Sequence, residues 1–228
     1  GEYRETVTVS TLAPPKAPIR IKSSEHHAAV MIDSSIRLKD CTNVYIEGFK
    51  FVTSPNAVLF GPDARHCIIR NCYLSTVSGK PNSRMPVMGP SASHNLIEDC
   101  VIEGNSDRSC DGIPLACQRF NHHLTVRRCR ISGYYCGIQT GYGSYPTAPP
   151  GYHVIEDCDL VENTDGVHCK MTDGIVRNCD LHHNTGYGIT VRYGARQLIE
   201  ENRIHHNGTA GIRLHSPSHL VRNNVIYQ

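Results

Sequence analysis

Three stretches of the chain, HVIEDCDLVENTDGVHCK (153–170), GIVRNCDLHHNTGYGITVR (174–192) and QLIEENRIHHNGTAGIRLH (197–215), align with a single one-residue gap. Each begins with a short segment in which apolar and polar residues alternate, and each ends with a glycine followed by apolar residues at every second position. Eight segments of the first kind occur along the chain at intervals of 21 to 29 residues. Their shared column contains Phe49, Cys72, Cys100, Cys129, Cys158, Cys179, Asn202 and Asn224. The sequence is therefore an internal repeat.

The repeat predicts three short strands per coil. Alternation on both sides of the Cys/Asn column indicates two strands, and the break in alternation just before that column indicates a bend. The motifs GIPLA (112–116), GIQTG (137–141), GVHCK (166–170), GITVR (188–192) and GIRLH (211–215) supply a third strand. Repeats of this length without a helical period are typical of a right-handed parallel β-helix. We therefore expect an all-β fold of about eight to nine coils in a single domain over residues 1–228, truncated at both ends.

A column of charges tests this register. Two positions before the Cys/Asn column, glutamate and arginine alternate over eight coils: Glu47, Arg70, Glu98, Arg127, Glu156, Arg177, Glu200 and Arg222. Parallel stacking at about 4.8 Å would bring opposite charges side by side. Much of the charge is therefore predicted to be structural.

The chain contains 11 cysteines, five of them in the repeated column. Side chains stacked in register at about 4.8 Å are too far apart for the roughly 3.8 Å Cβ separation of a disulfide. We expect buried free thiols in this column and at Cys67 and Cys169. Cys41, Cys110, Cys117 and Cys136 have no assigned place, and Cys110 with Cys136 is the one pairing to check.

Composition excludes several classes of protein. The formal net charge is only +2, which argues against nucleic acid as a partner. No apolar run reaches the roughly 20 residues that cross a bilayer, so no membrane association is expected. The residues GEYRETVTVS (1–10) do not resemble a signal peptide.

One face of the predicted helix gathers basic side chains. In the third-strand motifs the second and fourth residues should point inward, and the first, third and fifth should face solvent. The fifth positions give Lys170, Arg192 and His215, and the third positions give Gln139, His168 and Arg213. Repulsion within such a cluster favours a neutral Lys170 amine that could act as a base. Seven tyrosines are predicted on or beside the loops that border this face: Tyr134, Tyr135, Tyr142, Tyr145, Tyr152, Tyr187 and Tyr193.

The stretch NTDGVHCKMTDGIVRNCDLHHNTGYGITVRYG (163–194) and the order of coils resemble the β-helical polysaccharide lyases that include chondroitinase B and related alginate lyases. In that family a lysine and an arginine one coil apart act as base and acid beside a Ca²⁺ ion. The resemblance places these roles on Lys170 and Arg192, which lie 22 residues apart, and VRYG (191–194) resembles the family's Leu-Arg-His-Gly. The family's Glu-x-Glu calcium motif is represented here by Asn163 and Asp165. These two residues and Glu162 are the candidate metal ligands.

The resulting hypothesis is a secreted or periplasmic lyase that cleaves an anionic, uronic-acid-containing polysaccharide by β-elimination. Lys170, Arg192 and His215 would be catalytic, and His168, Arg213, Tyr187, Tyr193 and Gln139 would bind substrate. A uronan C5-epimerase begins with the same proton abstraction, and a non-catalytic carbohydrate-binding or structural β-helix segment is the third alternative. Further β-helix coils or neighbouring domains are expected partners at either end.

The tripeptide His-His-Asn occurs at 182–184 and again at 205–207, one coil apart. We expect His182 to stack on His205 and His183 on His206. Because no third ligand is evident, the sequence predicts a solvated turn ladder here and not a metal site.

Overall fold

The computed structural model describes residues 1–10, 17–53, 57–76, 87–88, 91–104, 111–114, 121–141 and 151–228. Within these ranges the secondary structure is entirely β, and no helix has the length and apolar character needed to cross a bilayer. The strands are β1 (Glu2–Tyr3), β2 (Val7–Ser10), β3 (Ile19–Lys22), β4 (Val30–Ile32), β5 (Ile36–Lys39), β6 (Val44–Glu47), β7 (Lys50–Thr53), β8 (Val58–Phe60), β9 (Ile68–Arg70), β10 (Tyr73–Thr76), β11 (Val87–Met88), β12 (Leu96–Glu98), β13 (Val101–Glu103), β14 (Asp111–Pro114), β15 (Thr125–Arg127), β16 (Arg130–Ser132), β17 (Cys136–Thr140), β18 (Val154–Glu156), β19 (Asp159–Val161), β20 (Asp165–Cys169), β21 (Ile175–Arg177), β22 (Asp180–His182), β23 (Tyr187–Val191), β24 (Leu198–Glu200), β25 (Arg203–His205), β26 (Ala210–Leu214), β27 (Leu220–Arg222) and β28 (Val225–Tyr227).

All strand pairs are parallel, and neighbours in a sheet come from successive coils. Sheet 1 has ten strands, from β1 through every third strand to β28, and sheet 2 has nine, from β3 to β27. The third face is divided between sheet 3, with strands β2, β5, β8 and β11, and sheet 4, with β14, β17, β20, β23 and β26. Each coil therefore crosses sheet 2, then sheet 1, then the third face. This is the predicted three-strand coil.

The predicted bend before the Cys/Asn column is a single residue in the left-handed conformation. Its φ angle lies between 50° and 74° in all eight coils, at Gly48, Asn71, Asp99, Arg128, Asp157, Asn178, Glu201 and Asn223. One left-handed residue turns the chain from sheet 2 into sheet 1 without an insertion. Asparagine, aspartate and glycine tolerate this conformation best, and they fill six of the eight positions.

The core consists of apolar columns and of one column, at the bend, that contains cysteines in the earlier coils and asparagines in the last two. Ile46, Ile69, Ile97 and their counterparts as far as Ile199 are buried, whereas Val221 in the last coil is exposed. Cys72 to Cys179 continue the interior at the bend. In the last coils asparagine replaces cysteine. The buried Asn202 accepts a hydrogen bond from the Cys179 amide at 3.0 Å, and Asn224 accepts one from the Asn202 amide at 3.0 Å.

The alternating charge column forms ion pairs in the predicted register, but it does so two coils at a time. The strand pairing places Arg70, Arg127 and Arg177 each between two glutamates, but each of these arginines forms an ion pair with the glutamate of the preceding coil. The pairs are Arg70–Glu47 at 2.8 Å, Arg127–Glu98 at 2.8 Å, Arg177–Glu156 at 2.6 Å and Arg222–Glu200 at 2.7 Å.

The repeated cysteines are buried free thiols, as expected, and so are Cys67 and Cys169. Their sulfurs contact backbone carbonyl oxygens of their own and the preceding coil, as Cys129 does with Arg127 and Ile97. Cys41 and Cys136 are also buried thiols that donate to backbone carbonyls. Cys110 and Cys117 lie outside the described residues.

Candidate active site

The candidate site is built on sheet 4. Ile113, Ile138, Val167 and Ile189 are fully buried and point into the core, so the residue after each of them lies on the outer side of the sheet. The register pairs Gln139 with His168, His168 with Thr190, and Thr190 with Arg213. The third-position residues therefore form one continuous column across the coils.

Lys170, Arg192 and His215 follow directly after strands β20, β23 and β26. The backbone ladder continues through them: the Lys170 amide donates to Thr140 at 2.8 Å, that of Arg192 to Cys169 at 3.0 Å, and that of His215 to Val191 at 2.9 Å. The structure thus stacks the three candidate catalytic residues on consecutive coils at one edge of sheet 4. Lys170 is partly buried, while Arg192 and His215 are exposed.

A groove of about 290 Å³ runs over this face. Of the residues proposed for the site, Arg192, His215, His168, Arg213, Tyr187 and Asp165 line it. Lys170, Gln139 and Tyr193 are not among its lining residues. Lys170 instead donates from Nζ to Oε1 of Gln139 at 2.9 Å, which holds the amine over the neighbouring coil.

The third-position column is not exposed to solvent, which corrects the sequence expectation. Gln139, His168 and Thr190 have at most 7% of their surface accessible, and only Arg213 is exposed. His168 and Thr190 line the groove together with Arg192, His215 and Tyr187, whereas Gln139 lies beside the groove and accepts a hydrogen bond from Lys170. Alternation along a strand predicts on which side of the sheet a side chain lies, but it does not predict whether neighbouring side chains shield it from solvent.

His168 is the central polar group of the floor. Neither of its ring nitrogens has a hydrogen-bond partner among the described residues. Burial, together with the charges of Lys170, Arg192 and His215, lowers the pKa of His168 to about 4. The imidazole is therefore neutral at pH 7, with one donor and one acceptor available to a bound molecule.

Aromatic rings support the arginines. Nη1 of Arg213 donates to the Tyr187 hydroxyl at 2.8 Å, and its guanidinium lies 5.0 Å from the centre of that ring. Arg192 lies 5.4 Å from the ring of Tyr193. Tyr193 thus contacts a site residue without entering the groove.

The tyrosine prediction was correct only in part. Tyr134 is fully buried in the core and does not border the face, whereas Tyr135 is 52% exposed and lines the groove. Tyr142 and Tyr145 lie outside the described residues.

Gly141 occupies the fifth position in the coil before Lys170, with φ at 97°. A Cβ atom at this position would lie 3.0 Å from Cβ of Lys170 and 3.0 Å from Cγ of Met171. A side chain there would therefore crowd the stem of Lys170, and its backbone conformation is one that favours glycine.

The candidate calcium ligands do not form a calcium site. Asn163 is fully buried, its Oδ1 accepts from the Tyr134 amide at 3.0 Å, and its Nδ2 donates to the carbonyls of Ile131 and Val161. Its assignment as a metal ligand is corrected on this ground, because its amide belongs to the interior. Glu162 is exposed on a left-handed bend and does not line the groove.

Asp165 is the remaining candidate. Its Oδ1 accepts from the Tyr187 amide at 3.0 Å, and burial raises the pKa of its carboxyl group. A single, partly desolvated carboxylate falls far short of the six to eight oxygens that Ca²⁺ takes. Among the described residues, no group of three His, Cys, Asp or Glu ligand atoms assembles around it.

Comparisons with known proteins agree with this architecture. Residues 117–228 match the family model described as right handed beta helix region. The chain is a right-handed parallel β-helix. No curated protein matches its sequence.

Solved structures match the β-helix at low sequence identity. A PL6 family alginate lyase, AlyGC, matches with a TM-score of 0.76 at 14% identity, covering 99% of this chain and 34% of its own. An alginate lyase from Paenibacillus sp. str. FPU-7 matches with a TM-score of 0.75 at 14% identity, covering 100% of this chain and 87% of its own. The Azotobacter vinelandii mannuronan C-5 epimerase AlgE6 A-module gives 0.66 at 16%, covering 94% and 69%. The chain thus spans about a third of AlyGC, and the resemblance to β-helix lyases is confirmed for the fold.

Sequence reasoning placed Tyr135 at the border of this face but did not assign Thr164 and Thr190 to the site. Thr190 was available from the third-position column. Thr164 lies in the bend that leads into sheet 4, where strand periodicity does not indicate which way a side chain points. Gly186 is also part of the lining, and a Cβ atom there would lie 2.5 Å from Oδ1 of Asp165.

Proposed function

We propose that the chain is a polysaccharide lyase that cleaves a uronic-acid-containing polymer by β-elimination in the groove of sheet 4. One observation carries this proposal: Lys170, Arg192 and His215 stack on consecutive coils beside a groove whose floor holds a neutral, unpartnered His168. Cationic walls suit an anionic sugar, and the desolvated floor strengthens each contact.

The carboxylate of the sugar would lie against Arg192, Arg213 and His215, the exposed basic residues of the groove. A guanidinium can bind a carboxylate through two parallel hydrogen bonds. Neutralising the carboxylate acidifies the proton at C5, which is the proton that elimination must remove. Tyr187 holds Arg213 in place through its hydroxyl.

Lys170 is the proposed base. Its amine takes the C5 proton, the electron pair of that C–H bond forms the C4–C5 double bond, and the bond from C4 to the glycosidic oxygen breaks. The leaving oxygen takes a proton from water while Arg192 donates a hydrogen bond to it. Gln139 positions the Lys170 amine, and His168 is free to bind a sugar hydroxyl as donor or acceptor.

No step of this mechanism uses calcium, because Asn163, Asp165 and Glu162 do not assemble an oxygen site. The cations of the groove take over the task of offsetting the carboxylate charge. Alginate is the first substrate to test, because several matching structures are alginate lyases or alginate epimerases. A periplasmic or secreted location follows from a polymeric substrate of this kind, and one of the matching epimerases is periplasmic.

The test is incubation with alginate, pectate and glycosaminoglycans while the ultraviolet absorbance of the unsaturated product is followed. Lys170→Ala should lower the rate by about 100-fold or more, in line with the contribution of a general base. Lys39→Ala is the matched control, because Lys39 is an exposed lysine of sheet 3, outside the groove. Full activity in Lys170→Ala would remove the proposed role of Lys170.

The same incubation separates the alternatives. A C5-epimerase would change the proton NMR signals of the sugar at C5 without producing unsaturated ends. A non-catalytic β-helix would bind an acidic oligosaccharide without either change. Either result would overturn the assignment as a lyase.

A further inference from the structure

A second cluster of chemistry-bearing side chains lies at the corner that leads into sheet 2, and it shares no residue with the groove. At this corner His94 directly precedes Asn95 and strand β12, and His122 and His123 lead into strand β15. His94 and His123 are both left-handed, with φ at 55° and 53°. Their rings stack on each other, with centres 4.7 Å apart and planes at 8°.

His122 brings a third imidazole to the same place. Its Nδ1 lies 2.8 Å from Nδ1 of His123, and its ring meets the ring of His94 edge-on at 5.3 Å. One nitrogen from each of the three residues lies within 4.8 Å of the other two. His94 and His123 are exposed and His122 is half-buried, so an ion can reach the cluster from solvent.

These distances fit coordination of a common ion. Three imidazole nitrogens bound at about 2.0 Å in a tetrahedral arrangement are separated by roughly 3.3 Å. Binding would require the three nitrogens, now within 4.8 Å of one another, to move to this separation by rotation of the side chains. The fourth position would face solvent, because two of the three residues are exposed.

The chain contains three further pairs of adjacent histidines, at 26–27, 182–183 and 205–206, and none of them gains such a third ligand among the described residues. His182 and His183 have their Nδ1 atoms 2.7 Å apart, and so do His205 and His206. In these pairs the outer nitrogens of His182 and His205 contact Asp159 and Asp180. The rings stack between coils at 5.0 and 5.1 Å, as the sequence predicted. Among the described residues, only the first cluster brings three ligand atoms together.

We propose that His94, His122 and His123 form a binding site for a divalent transition-metal ion of the zinc class. Neutral imidazole is a ligand that Zn²⁺, Cu²⁺ and Ni²⁺ share, and three imidazoles with an open position are a known way to hold zinc. The ring of His66 also stacks on His94, with centres 5.1 Å apart, and Arg65, whose charge acts on His94 and His122, is paired with Asp63 at 3.0 Å. A bound ion would join two successive coils, since His94 belongs to one coil and His122 and His123 to the next. The site is separate from the groove and does not depend on the proposed lyase activity.

The experiment is titration of the metal-free protein with Zn²⁺ by calorimetry and with Co²⁺ by visible absorption. We expect one ion per chain, a four-coordinate Co²⁺ spectrum without thiolate charge-transfer bands, and a higher melting temperature when Zn²⁺ is present. His94→Asn and His123→Asn should each weaken Zn²⁺ binding by about tenfold or more, because each removes one of three ligands. Asparagine tolerates the left-handed conformation, so both variants retain the backbone of the corner.

His183→Asn is the matched control. His183 is also an exposed, left-handed histidine beside another histidine, with φ at 52°, and its replacement should leave Zn²⁺ binding unchanged. His122→Ala provides a ligand removal outside the left-handed positions. The proposal is overturned if wild-type protein fails to bind Zn²⁺ or Co²⁺ at micromolar concentration. Equal binding by the His94, His122 and His123 variants, or thiolate bands in the Co²⁺ spectrum, would also overturn it.

Discussion

Replacing Asn184 by alanine tests the asparagine ladder that supports the groove from inside. Asn163, Asn184 and Asn207 are buried one above another at the bend between sheet 1 and sheet 4. Oδ1 of Asn184 accepts from the Asn163 amide at 3.0 Å, and its Nδ2 donates to the Leu160 carbonyl at 3.1 Å. The side chain therefore satisfies two backbone groups of the preceding coil.

The alanine variant leaves both of these groups without a partner. Asn184 is only 1% exposed and Asn163 is fully buried, so water does not readily replace the lost amide. Each unsatisfied buried polar group costs about 1 to 3 kcal/mol. We therefore expect Asn184→Ala to lower the free energy of unfolding by about 2 to 6 kcal/mol, a large part of the stability of an ordinary domain.

Urea unfolding followed by far-ultraviolet circular dichroism measures this loss, since the chain has no tryptophan to report on unfolding. Asn178→Gly is a suitable control, because Asn178 is an exposed asparagine on a left-handed bend, where glycine is tolerated. It should change the stability by less than about 0.5 kcal/mol. If Asn184→Ala were as stable as this control, the ladder would not hold the coils together in the way argued above.

Three further predictions concern the buried ionisable groups. Burial lowers the pKa of His168 to about 4 and that of His153 to about 3, so the unfolded chain binds protons that the folded chain does not as the pH falls below 6.5. The free energy of unfolding should therefore decrease as the pH falls, with about 2 kcal/mol lost through His168 by pH 5. Urea unfolding at several pH values measures this loss. If His168→Gln lost as much stability as wild type between pH 7 and pH 5, the result would contradict this. The thiol of Cys169, whose pKa burial raises to about 12, should resist iodoacetamide at pH 8 until urea is added, and native-state labelling of its peptide in mass spectra would refute its burial. Glu98→Gln should lower the melting temperature more than Glu156→Gln, because the carboxylate of Glu98 is more buried and accepts from two arginines; equal shifts would contradict this reasoning.

The repeat period and the apolar columns were enough to predict the coil. The period and the columns can be recognised from local sequence alone, because alternation of apolar and polar residues indicates a strand and a break in the alternation indicates a bend. The bend was predicted just before the Cys/Asn column, and the structure has a left-handed residue there in every coil, from Gly48 to Asn223. The charge column was also predicted, but its grouping into couples was not, because side-chain rotamers decide which of two equivalent neighbours an arginine contacts.

The candidate site was predicted less completely. The period of the repeat was sufficient to place Lys170, Arg192 and His215 together, because residues one coil apart must stack. The burial of His168 and Thr190 depends on the neighbours that enclose the groove, and strand periodicity carries no information about them. Asn163 illustrates a related difficulty, because one asparagine at a turn can point to solvent or into the interior ladder.

The histidine cluster was not predicted for a different reason. His94 and His123 occupy equivalent positions before their strands, but the third ligand, His122, comes from the adjacent column. Residues within one column, such as His182 and His205, are related by the repeat itself, whereas this three-residue group spans two columns. The informative pattern in the sequence is a pair of adjacent histidines, 122–123, that lies one coil after another histidine, His94.

The alternating charge column restricts how such a solenoid can change in length during evolution. Loss or duplication of a single coil would place glutamate directly over glutamate, or arginine over arginine, at the junction. Removal or addition of two coils would preserve opposite neighbours along the whole stack. Coils in this region should therefore be gained or lost in pairs, and homologues of different size should differ by an even number of coils. Each pair of coils is joined by one ion pair: Glu47–Arg70, Glu98–Arg127, Glu156–Arg177 or Glu200–Arg222.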